Sequence, residues 1–164
     1  MKQFWVAGLI YFFAINSAIA IFGQQRQTLS PEDAKQWRED LRFLAEELPK
    51  RHANLFHTMT REQFESAVKR LDERIPTLQR HQVIIEIGRI FAMVGDGHTR
   101  LNLLSAGAGL RRYPLRLYWF KDGIFVDAAT SEYAQIAGAR VVKIGNTVVE
   151  EAYKTVGQVV QRDN

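Results

Sequence analysis

The sequence contains no cysteine, so no disulfide stabilises the fold and an apolar core must hold the domain together. It also has no run of five like charges and no basic stretch interleaved with aromatic residues, although the formal net charge is +4. Lysine and arginine are scattered among aspartate and glutamate, which argues against a nucleic-acid partner. With 164 residues, of which 46% are hydrophobic, the chain can form about one domain with a packed core.

The first twenty residues have the pattern of a secretory signal peptide (1–20). Lys2 supplies positive charge, residues 4–15 form an apolar run too short to span a bilayer comfortably, and Ala18 and Ala20 form an A-x-A cleavage site. We expect cleavage after Ala20 and export of the mature chain to the periplasm or the extracellular space. The alternative is an uncleaved N-terminal anchor, because apolar residues continue just beyond this site. No cysteine follows the run, which excludes lipid attachment there.

Residues 21–104 predict a helical N-terminal subdomain of three helices that ends in a strand at 99–104. Ser30 is an N-cap followed by a proline, and Thr60 begins a second helix with a capping box. Pro49 is expected to end the first helix. The apolar faces of the three helices are Trp37, Leu41, Leu44 and Leu48; Phe64, Val68, Leu71 and Ile75; and Ile84, Ile87, Phe91 and Val94.

Two further predictions concern helix ends. Pro76 is expected to stop the second helix. The third helix is expected to run from about Arg80 to Val94, and Gly95 follows it as a left-handed C-cap.

Residues 105–164 predict a β/α module, so that the fold class is α+β. Alternating apolar residues predict strands, and the Asp-Gly pair at 122–123 and the Gly-Asn pair at 145–146 predict tight turns. The predicted elements are strands at 114–120, 124–129 and 140–144, a short helix at 131–137 that Gly138 closes, and an amphipathic helix at 149–160.

His98 is the candidate catalytic residue. It follows a helix and its glycine cap, and Gly97 leaves room beside the ring. Imidazole titrates near neutrality, so a histidine carried on a loop can act as a general base. The alternative is a plain turn in which His98 is only a half-exposed polar residue. We expect that His98 is not a core residue and that its ring reaches a surface cleft.

The other candidates have weaker patterns. His52 and His57 are five residues apart, whereas ligands on one helical face stand four apart, so no metal site is predicted. His81 is expected at a helix start on the surface. Ser66 and Lys69 match Ser-x-x-Lys, but they lie within a helix and lack the companion motifs.

No serine has the surroundings of a nucleophile. Ser30 and Ser131 are expected to be caps, and Ser105 lies in a glycine-containing loop without a nucleophile elbow.

Four stretches taken in order resemble a known family. They are HANLFHTMTREQFESAV (52–68), IFAMVGDGHTRLNL (90–103), YPLRLYWFKDGIFVDAA (113–129) and GARVVKIGNTVVEEA (138–152). Together they resemble the N-terminal part of the tail-specific (C-terminal processing) serine peptidases, in the branch related to the tricorn protease core. The resemblance covers essentially the whole mature chain. Its more specific feature is the order and spacing of GDGHT (95–99) and DGIFV (122–126).

This resemblance implies a helical subdomain, then a PDZ-like module, then a catalytic α/β part. Residues 105–164 are expected to be an incomplete PDZ-like module, its start. His98 matches the general base of the tricorn-like branch, whereas the other branch uses a Ser–Lys dyad and gives a histidine here no catalytic role. Gly97 departs from the tricorn pattern, which has a serine before the histidine. The nucleophilic serine and the oxyanion hole belong to the later part, which we expect to be absent because the chain stops at Asn164.

Two functions remain open. One is the N-terminal fragment of an exported serine-type endopeptidase that acts on peptides or protein C-terminal tails, inactive alone, with His98 as general base only in the complete enzyme. The other is a non-catalytic module of the cell envelope that binds peptides or a partner protein. The expected partners are a peptide or unstructured tail and the missing catalytic part, in cis or in trans. No cofactor, metal or nucleic acid is expected, and no membrane contact beyond an uncleaved signal. A serine-bearing segment encoded downstream would separate the two functions.

Overall fold

The computed structural model describes residues 28–103 and 108–160. The predicted signal peptide and Ser105 lie outside these residues. The elements in chain order are α1 (Pro31–Arg51), α2 (Arg61–Arg74), α3 (Arg80–Val94), β1 (Leu115–Phe120), β2 (Gly123–Ala129), β3 (Lys143–Ile144), β4 (Thr147–Val148) and α4 (Val149–Val156), with 3₁₀ turns at Ile75–Thr77 and Ser131–Ile136. The predicted α+β class is therefore confirmed. None of the helices in the described ranges is long and apolar enough to cross a membrane.

Capping interactions fix the starts of the first two helices, as predicted. The Asp33 backbone N–H donates to Ser30 Oγ at 3.0 Å. Thr60 and Gln63 form the reciprocal pair, because the Gln63 N–H donates to Thr60 Oγ1 while the Thr60 N–H donates to Gln63 Oε1. Each bond satisfies an N–H that has no partner within its helix.

The first helix does not end at Pro49, so that prediction is wrong. The helix continues through Pro49 to Arg51. A proline removes one N–H from the helical ladder, but the His52 N–H still donates to the Leu48 carbonyl at 3.0 Å and closes the last turn. Around Pro76 the prediction is confirmed, because α2 stops two residues earlier and a 3₁₀ turn follows.

The core lies among α1, α2 and α3. Leu41, Ile75 and Val83 are fully buried there, together with Val94 at the end of α3. The residues of the three predicted apolar faces all lie in or against this core, except that Ile84 is buried outside it. Burial of a side chain of this size stabilises the fold by about 1.5 to 3 kcal/mol, so this cluster carries most of the cohesion of the helical part.

The second half is built on two small antiparallel hairpins. β1 and β2 pair from Leu115↔Ala129 to Phe120↔Gly123 across a two-residue loop, with a bulge after Arg116. Along its other edge, β2 meets residues 138–141, where the Val126 N–H donates to the Ala139 carbonyl at 2.9 Å. β3 and β4 pair across the predicted Gly-Asn turn, and α4 follows directly.

Three predicted elements differ from the structure. The described part of 99–104 forms no strand, because Leu103 donates its N–H to the Leu101 carbonyl in a tight turn. The strand predicted at 140–144 is reduced to Lys143–Ile144 and a single bridge at Arg140. The last helix ends at Val156, because the chain turns at 157–159.

The C-terminal segment packs against α3 at a glycine. A Cβ atom on Gly88 would lie 3.4 Å from Leu103 Cδ2 and 3.8 Å from Val159 Cβ. Val159 is buried. Both distances are ordinary van der Waals contacts, so these neighbours leave room for a Cβ atom at this position.

Candidate functional site

Two chain segments meet at the C-terminal end of α3. One is the 52–59 loop, which follows α1, and the other is the 95–99 turn, which follows α3. Gly95 ends α3 with φ of 70°, the left-handed cap that the sequence predicts.

Thr58 joins the two segments. Its hydroxyl oxygen lies 2.9 Å from the Met93 carbonyl and 2.6 Å from the Val94 carbonyl, so it caps the end of α3. A Cβ atom on Gly95 would lie 2.8 Å from Thr58 Cγ2 and 2.9 Å from Thr58 Oγ1. Glycine is thus required at this position for two reasons, the positive φ and the space that Thr58 fills.

The Asp96 carboxylate contacts polar groups of His52, His98 and Thr99. Its Oδ1 accepts the backbone N–H of His98 at 2.9 Å and lies 3.3 Å from His98 Nδ1. Its Oδ2 accepts the Thr99 hydroxyl at 2.8 Å and lies 3.1 Å from His52 Nε2.

These donors hold the pKa of Asp96 well below its usual range. The largest cause is the His98 backbone N–H, followed by the Thr99 hydroxyl, and His52 and the His98 ring contribute further. Asp96 is therefore an anion at neutral pH, placed beside two imidazole rings.

His52 is the enclosed ring of the pair, with 12% of its side chain exposed. The Asn54 backbone N–H donates to His52 Nδ1 at 3.1 Å, so in the neutral ring the proton is on Nε2, which faces Asp96. His57 lies parallel to His52, with centroids 6.2 Å apart and an angle of 4° between the rings.

His98 is the exposed ring, with 91% of its side chain accessible. Its exposure agrees with the expectation that it lies at the surface and excludes a place in the core. A carboxylate beside Nδ1 favours the tautomer with the proton on that nitrogen, which leaves Nε2 as the atom that can accept a proton. This is the relation of aspartate to histidine in a Ser-His-Asp triad.

The other predicted candidates have separate structural positions. Ser30 caps α1, as expected, and Ser66 and Lys69 are exposed on α2. The expectation that Ser131 is a cap is wrong, because Ser131 is the first residue of a 3₁₀ turn whose N-cap is Thr130. His57 has its Nδ1 2.8 Å from the Asn54 carbonyl. Within 28–103 and 108–160, no three histidine, aspartate or glutamate side chains are grouped to hold a metal ion.

Sequence reasoning missed Asp96 and Thr58, and it considered His52 only as a metal ligand. Asp96 had a local signal, because an aspartate often accepts the N–H two residues later in a tight turn. His52 lies 44 residues away from Asp96 in sequence, and no local pattern predicts that contact.

A second feature is an apolar groove between β1 and α4, with a volume of about 350 Å³. Trp119 and Tyr153 meet edge to face at one side of it, with centroids 4.0 Å apart. The groove is lined by Leu117, Tyr118, Trp119, Ile124, Ile144, Val149, Ala152, Tyr153 and Val156.

Comparison of the chain with family models, with curated proteins and with solved structures finds no match.

Proposed function

We propose that this chain is the base-supplying, N-terminal part of an exported serine-type endopeptidase that acts on peptides or protein C-terminal tails. The observation that carries the proposal is the Asp96–His98 pair. An ionised carboxylate lies 3.3 Å from Nδ1 of an imidazole whose side chain is 91% exposed. The resemblance of GDGHT and the stretches around it to the tail-specific peptidases adds support.

In this proposal His98 is the general base. Its Nε2 takes the proton from a serine hydroxyl as the oxygen attacks the scissile carbonyl, and the ring later returns that proton to the leaving amine. Asp96 keeps the ring oriented and stabilises the imidazolium that forms between these two steps. The serine and the donors for the developing oxyanion come from another part of the enzyme.

We assign the nucleophile to another part of the enzyme, because each described serine belongs to a helix cap, a helix or a turn. Ser30 Oγ is already engaged with Asp33, and Ser66 lies within α2. Ser131 begins a turn in the second half of the chain. A complete enzyme therefore needs a serine-bearing part joined in cis or bound in trans.

The test is reconstitution with the polypeptide encoded next to this chain, followed by an assay on an unstructured protein substrate. His98→Ala should abolish most turnover, and His81→Ala, an exposed histidine at the start of α3, should leave it unchanged. His98→Ala should alter the free energy of unfolding by only about 1 kcal/mol or less, as for surface changes. Full turnover by His98→Ala, or the lack of any serine-bearing segment in the adjoining DNA, would contradict the proposal.

The groove between β1 and α4 supports a second candidate, a non-catalytic module that binds peptides. β1 pairs with β2 on one side, and within the described ranges no other strand pairs with it. An extended peptide can add to such an edge and place an apolar side chain in a neighbouring groove. This is also how a PDZ-like module would hold a protein tail.

A pair of valine variants tests this candidate. Val156 lines the groove and Val160 does not, although both are exposed. In fluorescence anisotropy with a labelled, unstructured apolar peptide, Val156→Lys should weaken binding and Val160→Lys should not. Equal binding by both variants and the parent chain would exclude the groove as the site.

Export is part of the same proposal. It is based on the positive residue, apolar run and A-x-A pattern of residues 1–20. N-terminal sequencing of the protein from a bacterial host should find Ile21 first, in the fraction outside the cytoplasm. Intact Met1 on protein from the soluble cytoplasmic fraction would contradict it.

A further inference from the structure

We infer that His52 is a positioning residue for the general base, holding the Asp96–His98 pair in place from the end of α1. The inference rests on the proposed function, because it assigns His52 a role in presenting His98. It differs from that function in naming a histidine that does not touch substrate.

The hydrogen-bonding pattern of His52 fixes its ring. An amide N–H can only donate, so the bond from Asn54 to Nδ1 makes that nitrogen the acceptor. Nε2–H then points at Asp96 Oδ2 at 3.1 Å. The ring is largely enclosed and lies parallel to His57, so neither its tautomer nor its orientation changes freely.

The position of His52 explains why this bond matters for His98. Asp96 places one oxygen toward His52 and the other toward His98, so a rotation of the carboxylate moves both contacts together. The bond to His98 Nδ1, at 3.3 Å, is near the long limit for a hydrogen bond, and a small displacement breaks it.

His52 also joins two separate parts of the chain. It is the C-cap of α1, whereas Asp96 belongs to the turn after α3. A bond between them fixes the turn relative to the helical core. Misplacing a catalytic group by about 1 Å costs on the order of a hundredfold in rate.

The first test uses the full chain alone and needs no enzymatic activity. Long-range ¹H–¹⁵N spectra of the histidine rings, recorded at a pH where they are neutral, report the tautomers. The parent chain should show the proton of His52 on Nε2 and that of His98 on Nδ1. His52→Ala should lower the Nδ1–H population of His98 roughly twofold. His52→Gln should keep that population, because the amide can donate to Asp96. The control variant His81→Ala should leave it unchanged. A His98 spectrum that is identical in the parent chain and in His52→Ala would overturn the inference.

The second test uses the reconstituted enzyme and separates positioning from simple stability. At a temperature well below the unfolding midpoint of each variant, His52→Ala should lower kcat about ten- to a hundredfold with KM little changed, and His52→Gln should restore most of it. Unchanged kcat in His52→Ala, together with inactive His98→Ala, would reject His52 as a positioning residue while the peptidase proposal stands. An altered His98 spectrum in His52→Ala, together with active His98→Ala, would instead reject the peptidase role.

Discussion

A single carboxylate, Asp96, organises the candidate site, and its charge should be visible in the stability of the protein. Hydrogen bonds lower the pKa of Asp96 in the folded state below its ordinary 3.8. Such a group contributes stability that is fully present above the pKa of the unfolded state and is lost as the pH falls toward the folded value.

Asp96→Asn is therefore expected to have its full destabilising effect from neutral pH down to about pH 5 and a shrinking effect below about pH 4. Urea unfolding of the parent and variant at a series of pH values measures this. Asp40→Asn, in an exposed residue of α1, is the control for replacing a surface aspartate by asparagine. A difference between parent and Asp96→Asn that stays constant down to pH 2 would show that the carboxylate charge does not stabilise the turn.

Gly95 allows a separate test of the contact between Thr58 and the end of α3. Gly95→Ala should be more destabilising than Gly145→Ala. Both glycines have positive φ, which costs an alanine about 1 to 2 kcal/mol. Only at Gly95 would the new Cβ meet another side chain, because nothing lies within 4 Å of the Cβ position at Gly145.

Chemical denaturation of the two variants gives the comparison. In a Thr58→Ala background the excess cost of Gly95→Ala should decrease, since the two nearest atoms that it meets, Thr58 Cγ2 and Oγ1, are gone. Equal costs at both glycines in the parent background would show that Thr58 yields to the added methyl group.

The residues of the site differ in how far the sequence could reveal them. The Gly95 cap was predicted because its signal is local, a glycine directly after an apolar helix. The position of His98 was predicted for the same reason, whereas its Asp96 partner was overlooked despite standing two residues away. The His52 contact depends on how α1 and α3 pack, and so it required the structure.

At the scale of elements, helices were predicted well and strands less so. A helix closes its own hydrogen bonds, so caps and apolar spacing at α1 to α3 suffice to predict it. A strand needs a partner, and residues 99–103 alternate without one. The β1–β2 hairpin was predicted because its turn signal and both its strands are adjacent in sequence. Pro49 was misjudged because a proline near the last turn of a helix removes only one bond.

The start of α2 offers a matched pair of variants for testing the capping box. Thr60→Ala should lower the free energy of unfolding by about 1 kcal/mol, because the Gln63 backbone N–H loses the Thr60 hydroxyl as its acceptor. Thr60→Ser keeps the hydroxyl and should retain most of that stability. Thermal or urea unfolding measures both. A serine variant as unstable as the alanine variant would mean that the methyl group of Thr60, not its hydroxyl, stabilises the helix.

At the scale of the whole molecule, the two halves differ in how much apolar surface they bury. The helical half has an extensive core, whereas among the described residues of the second half only Ala108, Val126, Val149 and Val159 are buried. Of the large apolar side chains that are exposed in the described residues, all but Phe43 lie at or after Tyr113. Large exposed apolar side chains are frequent at interaction sites, and their concentration in the second half agrees with the proposal that this half meets a peptide or another part of an enzyme.

The last prediction is that this chain alone does not cleave peptides. Serine-type acyl transfer requires a nucleophile, a base within hydrogen-bond reach of it, and donors for the oxyanion. In the proposed enzyme His98 supplies the base, but Ser30, Ser66 and Ser131 have the structural positions described above. A base without its nucleophile contributes little, because these groups act as a unit. Purified 21–164 should therefore show no turnover of unstructured protein or C-terminal peptides, and adding the serine-bearing part should create it. Turnover by the chain alone that disappears in Ser105→Ala and persists in Ser66→Ala would reverse this conclusion and make Ser105 the nucleophile.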